Sequence, residues 1–282
     1  MTDRNNYRDS KYDGLSYYQT VKAAVADMAR WGFDTEARLE AWLVRLKSSA
    51  ERSMPSPEKL ARDLRAKLET DYDKLVERGG LQKRHVGIPR FTVERLKPSM
   101  RAELDRRVMA STSLIRLNRQ RAVDHTLQRF GGWATSVPPG GVSGETRTKV
   151  KEDVKKSIKQ LPFEERRVII DQSHKLYSAI NNIVATHGGA IAGIWHSHYK
   201  EKGYNFRKIH AERDGKFYAI KGNWAIQKGL MNKGAGYYED MDQVGQEPFC
   251  RCYMQYIYGL DRLPDDMLTE KGRAALAELD NI

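Results

Sequence analysis

Cysteine is almost absent from this chain: 282 residues contain two, Cys250 and Cys252, with one residue between them. A disulfide across so short a loop is strained, so the fold must rest on an apolar core, for which the length is ample. The two thiols read either as free groups or as half of a metal site. Long apolar runs are also missing. A bilayer span needs roughly 20 apolar residues, and the longest runs here, such as Ala190 to Trp195, are far shorter. Met1 to Lys11 is polar and charged, without the apolar stretch of a signal peptide. The expectation is therefore a protein that stays in the cytoplasm where it is made and has no membrane partner. No Walker A loop and no convincing Gly-x-Gly-x-x-Gly is present, so neither phosphate-cradling motif is available.

Positive charge is in excess. Lys and Arg number 49 against 37 Asp and Glu, a formal +12. Such a balance favours a polyanionic neighbour, most simply nucleic acid, although a well-solvated helical surface gives the same count. The excess is densest between Leu81 and Phe130, with 12 basic residues against 4 acidic ones. Lys83, Arg84, Arg106, Arg107, Arg116, Arg119 and Arg121 are the candidates there for contact with nucleic acid or an acidic surface.

The apolar pattern is helical over most of the chain. Val21, Val25 and Met28, then Leu39, Trp42, Leu43 and Leu46, predict two helices broken at Gly32-Phe33-Asp34-Thr35, with Asp34 or Thr35 as cap. Ser56-Pro57 is a strong start signal, since Ser56 can cap and Pro57 suits the first helical position. Leu60, Leu64, Leu68, Tyr72 and Leu75 continue that helix to about Arg78, ahead of Gly79-Gly80. Another long helix is expected from Ser99 past Leu127, kinked near Ser111-Thr112-Ser113. Two more are expected over 149–161, ended by Pro162, and over 163–187, ended by Gly188-Gly189. The texture then changes. Ala190 to Trp195, Lys216 to Ile220 and Cys252 to Tyr258 have strand character. The expected fold is α+β: a mainly helical N-terminal part followed by a small α+β C-terminal module with a short antiparallel sheet. Its divisions are a polar arm over 1–15, helices over 16–130, a Gly/Pro-rich connection over 131–148, the module over 149–260 and a tail with a short helix over 261–282.

Chemistry-bearing residues crowd into the module. Five of the seven histidines fall between His174 and His210, and both cysteines follow. Imidazole with thiolate suits zinc, so His196, His198, His210, Cys250 and Cys252 are the candidate metal ligands. His-x-His and Cys-x-Cys on strands would each put two donors on one face. A structural reading competes: a His before an Asp-Gly turn can cap it, and a Cys pair can fill a small apolar site. A JAMM-type metallopeptidase is excluded, because Ile209 stands where its metal-binding Asp must be. A nucleophilic Cys paired with His210 lacks a local activator other than Arg251, which a strand would point the other way.

The order of these elements is more telling than any one of them. Trp195 is followed by Arg207, His210, Asp214 and Gly215 in an Arg-x-x-His-x-x-x-Asp-Gly stretch, and Cys250-Arg251-Cys252 closes the block. Over roughly 163–258 this resembles the C-terminal module of the phage head morphogenesis family, the Mu F-like minor head proteins. Two segments depart from the family pattern: Ile170 to His174 in the leading helix, and Glu247-Pro248-Phe249 before the cysteines. The resemblance implies a non-enzymatic minor head protein of a tailed phage, made in the host cytoplasm and carried in the virion. Its implied partners are the portal, capsid or scaffold proteins, with genomic DNA as a further contact of the basic stretch. The alternative is a metal-dependent nuclease or toxin-like effector on the same module, using His196, His198 or His210 around an ion.

Overall fold

The structure, a computed structural model, describes residues 5–279. The chain is α+β: a long helical N-terminal part is followed by a small three-stranded antiparallel sheet with short helices. It divides into two compact units, each built from two separate stretches of sequence. The first comprises 1–63 and 110–168, the second 64–109 and 169–282. The expected connection over 131–148 thus falls inside the first unit.

In the first unit, α1 (Tyr17–Trp31) begins where the Ser16 N–H donates to Gln19 Oε1, and α2 (Glu36–Arg52) begins at Thr35, whose hydroxyl accepts the Arg38 N–H. Ser56 accepts the Lys59 N–H at the start of α3 (Pro57–Leu75). A short α4 (Gly80–Arg84) follows in the second unit, and the long helices α5 (Arg90–Ser136) and α6 (Gly144–His187) supply segments to both units. The first core joins Val21, Val25 and Met28 of α1, Trp42 and Leu46 of α2, Phe130 and Ala134 of α5, and Val154 and Leu161 of α6.

Four sequence expectations change here. Helix α5 already starts at Arg90, passes through Pro98 and continues without a break past Ser111. Val108, Ser111 and Ile115 are buried along it. Pro162 does not end a helix but lies inside α6. An interior proline costs about 3 kcal/mol, yet Ile158, Leu161 and Val168 on either side are all buried, and that burial outweighs the lost hydrogen bond. The Gly/Pro-rich stretch is mostly helix: α5 takes it up to Ser136, and only 137–143 is loop. That loop folds back on the end of α1, where the Val142 N–H donates to Ala29 O and the Phe33 N–H to Val137 O. Gly32 (φ +76°) and Gly141 (φ +86°) are required there, because a Cβ would lie 2.3 Å from Pro138 O and 2.0 Å from Ala29 O respectively. Lastly, the polar arm is tied down from residue 5 on, whereas residues 1–4 lie outside the described residues. Tyr7 is buried, Arg45 donates to the Tyr7 and Asp9 carbonyls, and Arg52 to those of Asp13 and Leu15.

In the second unit, β1 (Ala192–His196) runs in the middle of the sheet. After a short α7 (Lys208–Glu212) comes β2 (Phe217–Ala219), then α8 (Trp224–Gln227) and β3 (Tyr253–Ile257), in the order β2-β1-β3. Trp195 lies opposite Met254, and His196 opposite Tyr253. One face packs Ala192, Ala219 and Ile257 on Leu230, Leu260 and Met267. The other packs Trp195 and Tyr218 with Tyr238, Cys250 and Cys252. A separate cluster joins Leu68 and Tyr72 of α3, Met100 and Leu104 of α5, and Leu176 and Ile180 of α6. The tail ends in α9 (Glu270–Leu279), and residues 280–282 lie outside the described residues.

Candidate functional site

The second face of the sheet holds the candidate site. β3 begins just after Cys252, and the backbone alternates so that both thiols turn inward while Arg251 stays exposed. On the facing side, α7 begins after Arg207 and presents His210 from the middle of its single turn and a half. The ring Nδ1 lies 3.7 Å from Cys250 Sγ and 3.6 Å from Cys252 Sγ. All three donor atoms lie within 4.8 Å of one another. Exposure is 2% for Cys250, 1% for Cys252 and 2% for His210, so solvent does not reach the cluster.

The other side of the imidazole is fixed. His210 Nε2 is 2.7 Å from Asp242 Oδ2, and Arg213 Nη2 donates to Asp242 Oδ1 at 2.7 Å. Burial by itself would raise the Asp242 carboxyl, but hydrogen bonds from Arg213 and His210 outweigh it and hold the group below its ordinary value. An ionised Asp242 is an acceptor only, so Nε2 donates to it and Nδ1 is the ring nitrogen that faces the thiols. The thiols themselves diverge. Cys250 is pushed down to about 5, foremost by the hydrogen bond from Cys252, with help from the backbone N–H groups of Gly245 and Cys252. Cys252 is pushed up, foremost by that same neighbour and then by burial. Beside Cys252, the Trp195 Nε1–H is buried without an oxygen or nitrogen acceptor.

The other residues of the signature surround this cluster. The Trp195 ring meets His210 edge-on at 5.3 Å, and the Arg213 guanidinium lies 5.0 Å over it. Asp214 Oδ1 accepts the Ser197 N–H at 2.6 Å, and the Gly215 N–H donates to Trp195 O at 2.8 Å. Gly215 has φ +74°, the conformation that makes an Asp-Gly turn favourable. Arg207 donates to Pro248 O at 3.0 Å, and Arg251 pairs with Glu201 at 2.8 Å.

His196 and His198 do not join the cluster. His196 is the last residue of β1, on the side opposite Trp195. Its ring stacks on Tyr253 at 4.7 Å and its Nε2 lies 3.2 Å from Gln255 Oε1. His198 lies beyond the strand, near Glu201. The basic candidates also separate: Lys83, Arg84, Arg106 and Arg107 belong to the second unit, and Arg116, Arg119 and Arg121 to the first. Arg106 and Arg107 share the Glu103 carboxylate. Arg119, only 8% exposed, is committed to Glu165 at 2.6 Å and to Pro55 O, so it offers nothing to an external anion. Lys83, Arg84, Arg116 and Arg121 are exposed.

Asp242, Arg213 and the leading-helix residues Asp171 and His174 were not among the sequence candidates. Asp171 Oδ1 accepts the Phe249 N–H at 2.6 Å, and His174 Nε2 lies 3.3 Å from Cys252 O. Phe249 has φ +58°, which a side chain adopts only when held, and the Asp171 bond holds it. No spacing announces these contacts, since Asp242 stands 32 residues from His210 and Asp171 stands 78 from Phe249. Comparison with models of known protein families, with characterised proteins and with solved structures finds no match for this chain.

Proposed function

We propose that this chain is a minor structural protein of a tailed-phage head, made in the host cytoplasm, incorporated near the portal and acting in procapsid assembly. One observation carries the reading: the signature residues that prompted the resemblance form a single connected set in the fold. Trp195, His210, Cys250 and Cys252 pack together, Asp214 and Gly215 shape the turn beside Trp195, and Arg207 and Arg251 tie down the loops at the rim. Their order along the chain thus has a structural cause, as a module identity requires and a chance coincidence of motifs does not.

The two departures from the family pattern touch in the fold. Asp171, in the first departing segment, bonds Phe249, in the second. A metal-dependent nuclease using His196, His198 or His210 would need its ion in an open cleft. Only His210 is at the cluster, and it is buried. The basic stretch keeps a reduced role, with Lys83, Arg84, Arg116 and Arg121 as the exposed charges that could meet packaged DNA or an acidic capsid wall.

Mass spectrometry of purified procapsids and mature particles tests the proposal. The expected result is this chain at a few to a few tens of copies per procapsid, co-purifying with the portal protein. Absence from both kinds of particle would overturn it.

A further inference from the structure

We propose that the second unit binds one zinc ion through Cys250 Sγ, Cys252 Sγ and His210 Nδ1, with one further ligand completing the tetrahedron. This inference does not depend on the head-protein reading.

Three observations carry it. First, the distances fit. Zinc sits about 2.3 Å from thiolate sulfur and about 2.0–2.1 Å from imidazole nitrogen, which makes the S–N edge of a tetrahedron about 3.6 Å. The observed separations are 3.7 and 3.6 Å. Second, one imidazole nitrogen faces both sulfurs. With Nε2 donating to Asp242, Nδ1 is the nitrogen left to hold an ion. Both sulfurs lie at nearly equal range from it, 3.7 and 3.6 Å. A cation between the three donors satisfies all of them at once.

Third, the surroundings suit metal thiolates. The Asp242–His210 pair has the arrangement of a carboxylate that orients a metal-bound imidazole, and Arg213 anchors that carboxylate in turn. The orphaned Trp195 N–H gains an acceptor once Cys252 is a thiolate. Gly245 and Cys252 direct backbone N–H groups at Cys250, and the Ser197 side chain reaches Cys252. Two soft sulfurs and an imidazole select zinc over the oxygen-seeking Mg2+ and Ca2+. Because all three donors are buried in the core that includes Trp195 and Tyr238, the ion would act as a clasp between α7 and the edge of the sheet rather than as a centre open to substrate.

The test uses the full chain expressed in zinc-supplemented cells. Elemental analysis should give about one zinc per chain. After chelation, titration with Co2+ should develop the intense near-ultraviolet band of cobalt–thiolate charge transfer together with visible bands of a tetrahedral ion. Cys250→Ser and Cys252→Ser should each lose the bound zinc and weaken the charge-transfer band. Asp242→Asn keeps all three donors and should lower zinc affinity by about 10–100-fold in competition with a chromophoric chelator. A folded wild-type chain that carries no zinc and gives no cobalt–thiolate absorption would overturn the proposal. So would unchanged zinc content in both serine variants.

Discussion

Each unit buries a tryptophan whose indole N–H needs an acceptor, and the two provide for it differently. In the first unit Trp42 Nε1 donates to Asp27 Oδ2 at 2.7 Å, and the same carboxylate takes Arg38 Nη1 at 3.0 Å. Arg38, with 1% of its side chain exposed, also pairs with Asp34 and lies 4.8 Å over the Tyr7 ring. Nitrogen and oxygen meet in balanced number there, and the protein itself supplies every partner. In the second unit the Trp195 N–H has no oxygen or nitrogen acceptor, and two sulfurs face one imidazole nitrogen. A polar cluster whose members are all paired stiffens its core, whereas the second unit gathers the three donors of the proposed zinc site.

The largest break in this comparison is expected in the first unit. Asp27→Ala should cost about 3–5 kcal/mol in urea unfolding, because it leaves Arg38 and the Trp42 N–H buried with one acceptor gone. A cost below about 1 kcal/mol would show that the network is not sealed from water.

Acid should act next, and on the second unit. His85 is buried between Asn181 and Tyr258, stacked on Tyr256, with Arg84 adjacent. Burial foremost, offset in part by Asn181 and reinforced by Arg84, pushes its ring down to about 4. The unfolded ring takes up its proton near pH 6.5. Stability tied to the neutral ring is therefore complete above that pH and is lost as pH falls towards about 4, by roughly 3 kcal/mol at most. Hydrogen exchange should show protection falling in this window around His85 and Asn181, and His85→Gln should flatten the profile.

A matched pair of substitutions sharpens the contrast. Trp42→Phe and Trp195→Phe lose the same volume, so their difference reports the N–H. In chelated protein Trp42→Phe should cost more, by about 1–2 kcal/mol, and added zinc should narrow the gap. The smallest effect is reserved for the exposed charges: Arg116→Ala or Arg121→Ala should change stability by no more than about 0.5 kcal/mol. If these residues face DNA, the same variants should weaken nonspecific DNA binding and reduce its salt dependence.

Local signals in the sequence were reliable where one residue type forces one conformation. Ser56-Pro57 starts α3, Thr35 caps α2, and the three apolar segments became the three strands. Pro162 and Pro98 misled, because a proline's local cost is fixed while the burial that offsets it comes from distant residues. The candidate site divides the same way. His210, Cys250 and Cys252 were visible as residue types that ligate, and the fold brings them together. Asp242 was not, since a single Asp in a Gly-rich loop carries no periodicity. Nor was Arg38, whose charge reads as surface until Asp27 and Asp34 are placed beside it.

The second unit is interleaved with the first along the chain, and this sets a timetable for its assembly. Its opening stretch, 64–109, carries Leu68, Tyr72, Met100 and Leu104, whose partners Leu176 and Ile180 and the final strand are encoded far downstream. About 140 residues separate Met109 from Cys252. At about 5–20 residues per second on the ribosome, the early apolar faces wait on the order of ten seconds before β3 and the cysteine pair emerge. A nascent chain stalled just after Val168 has a first unit with all of its sequence present and a second that has only its opening stretch, 64–109.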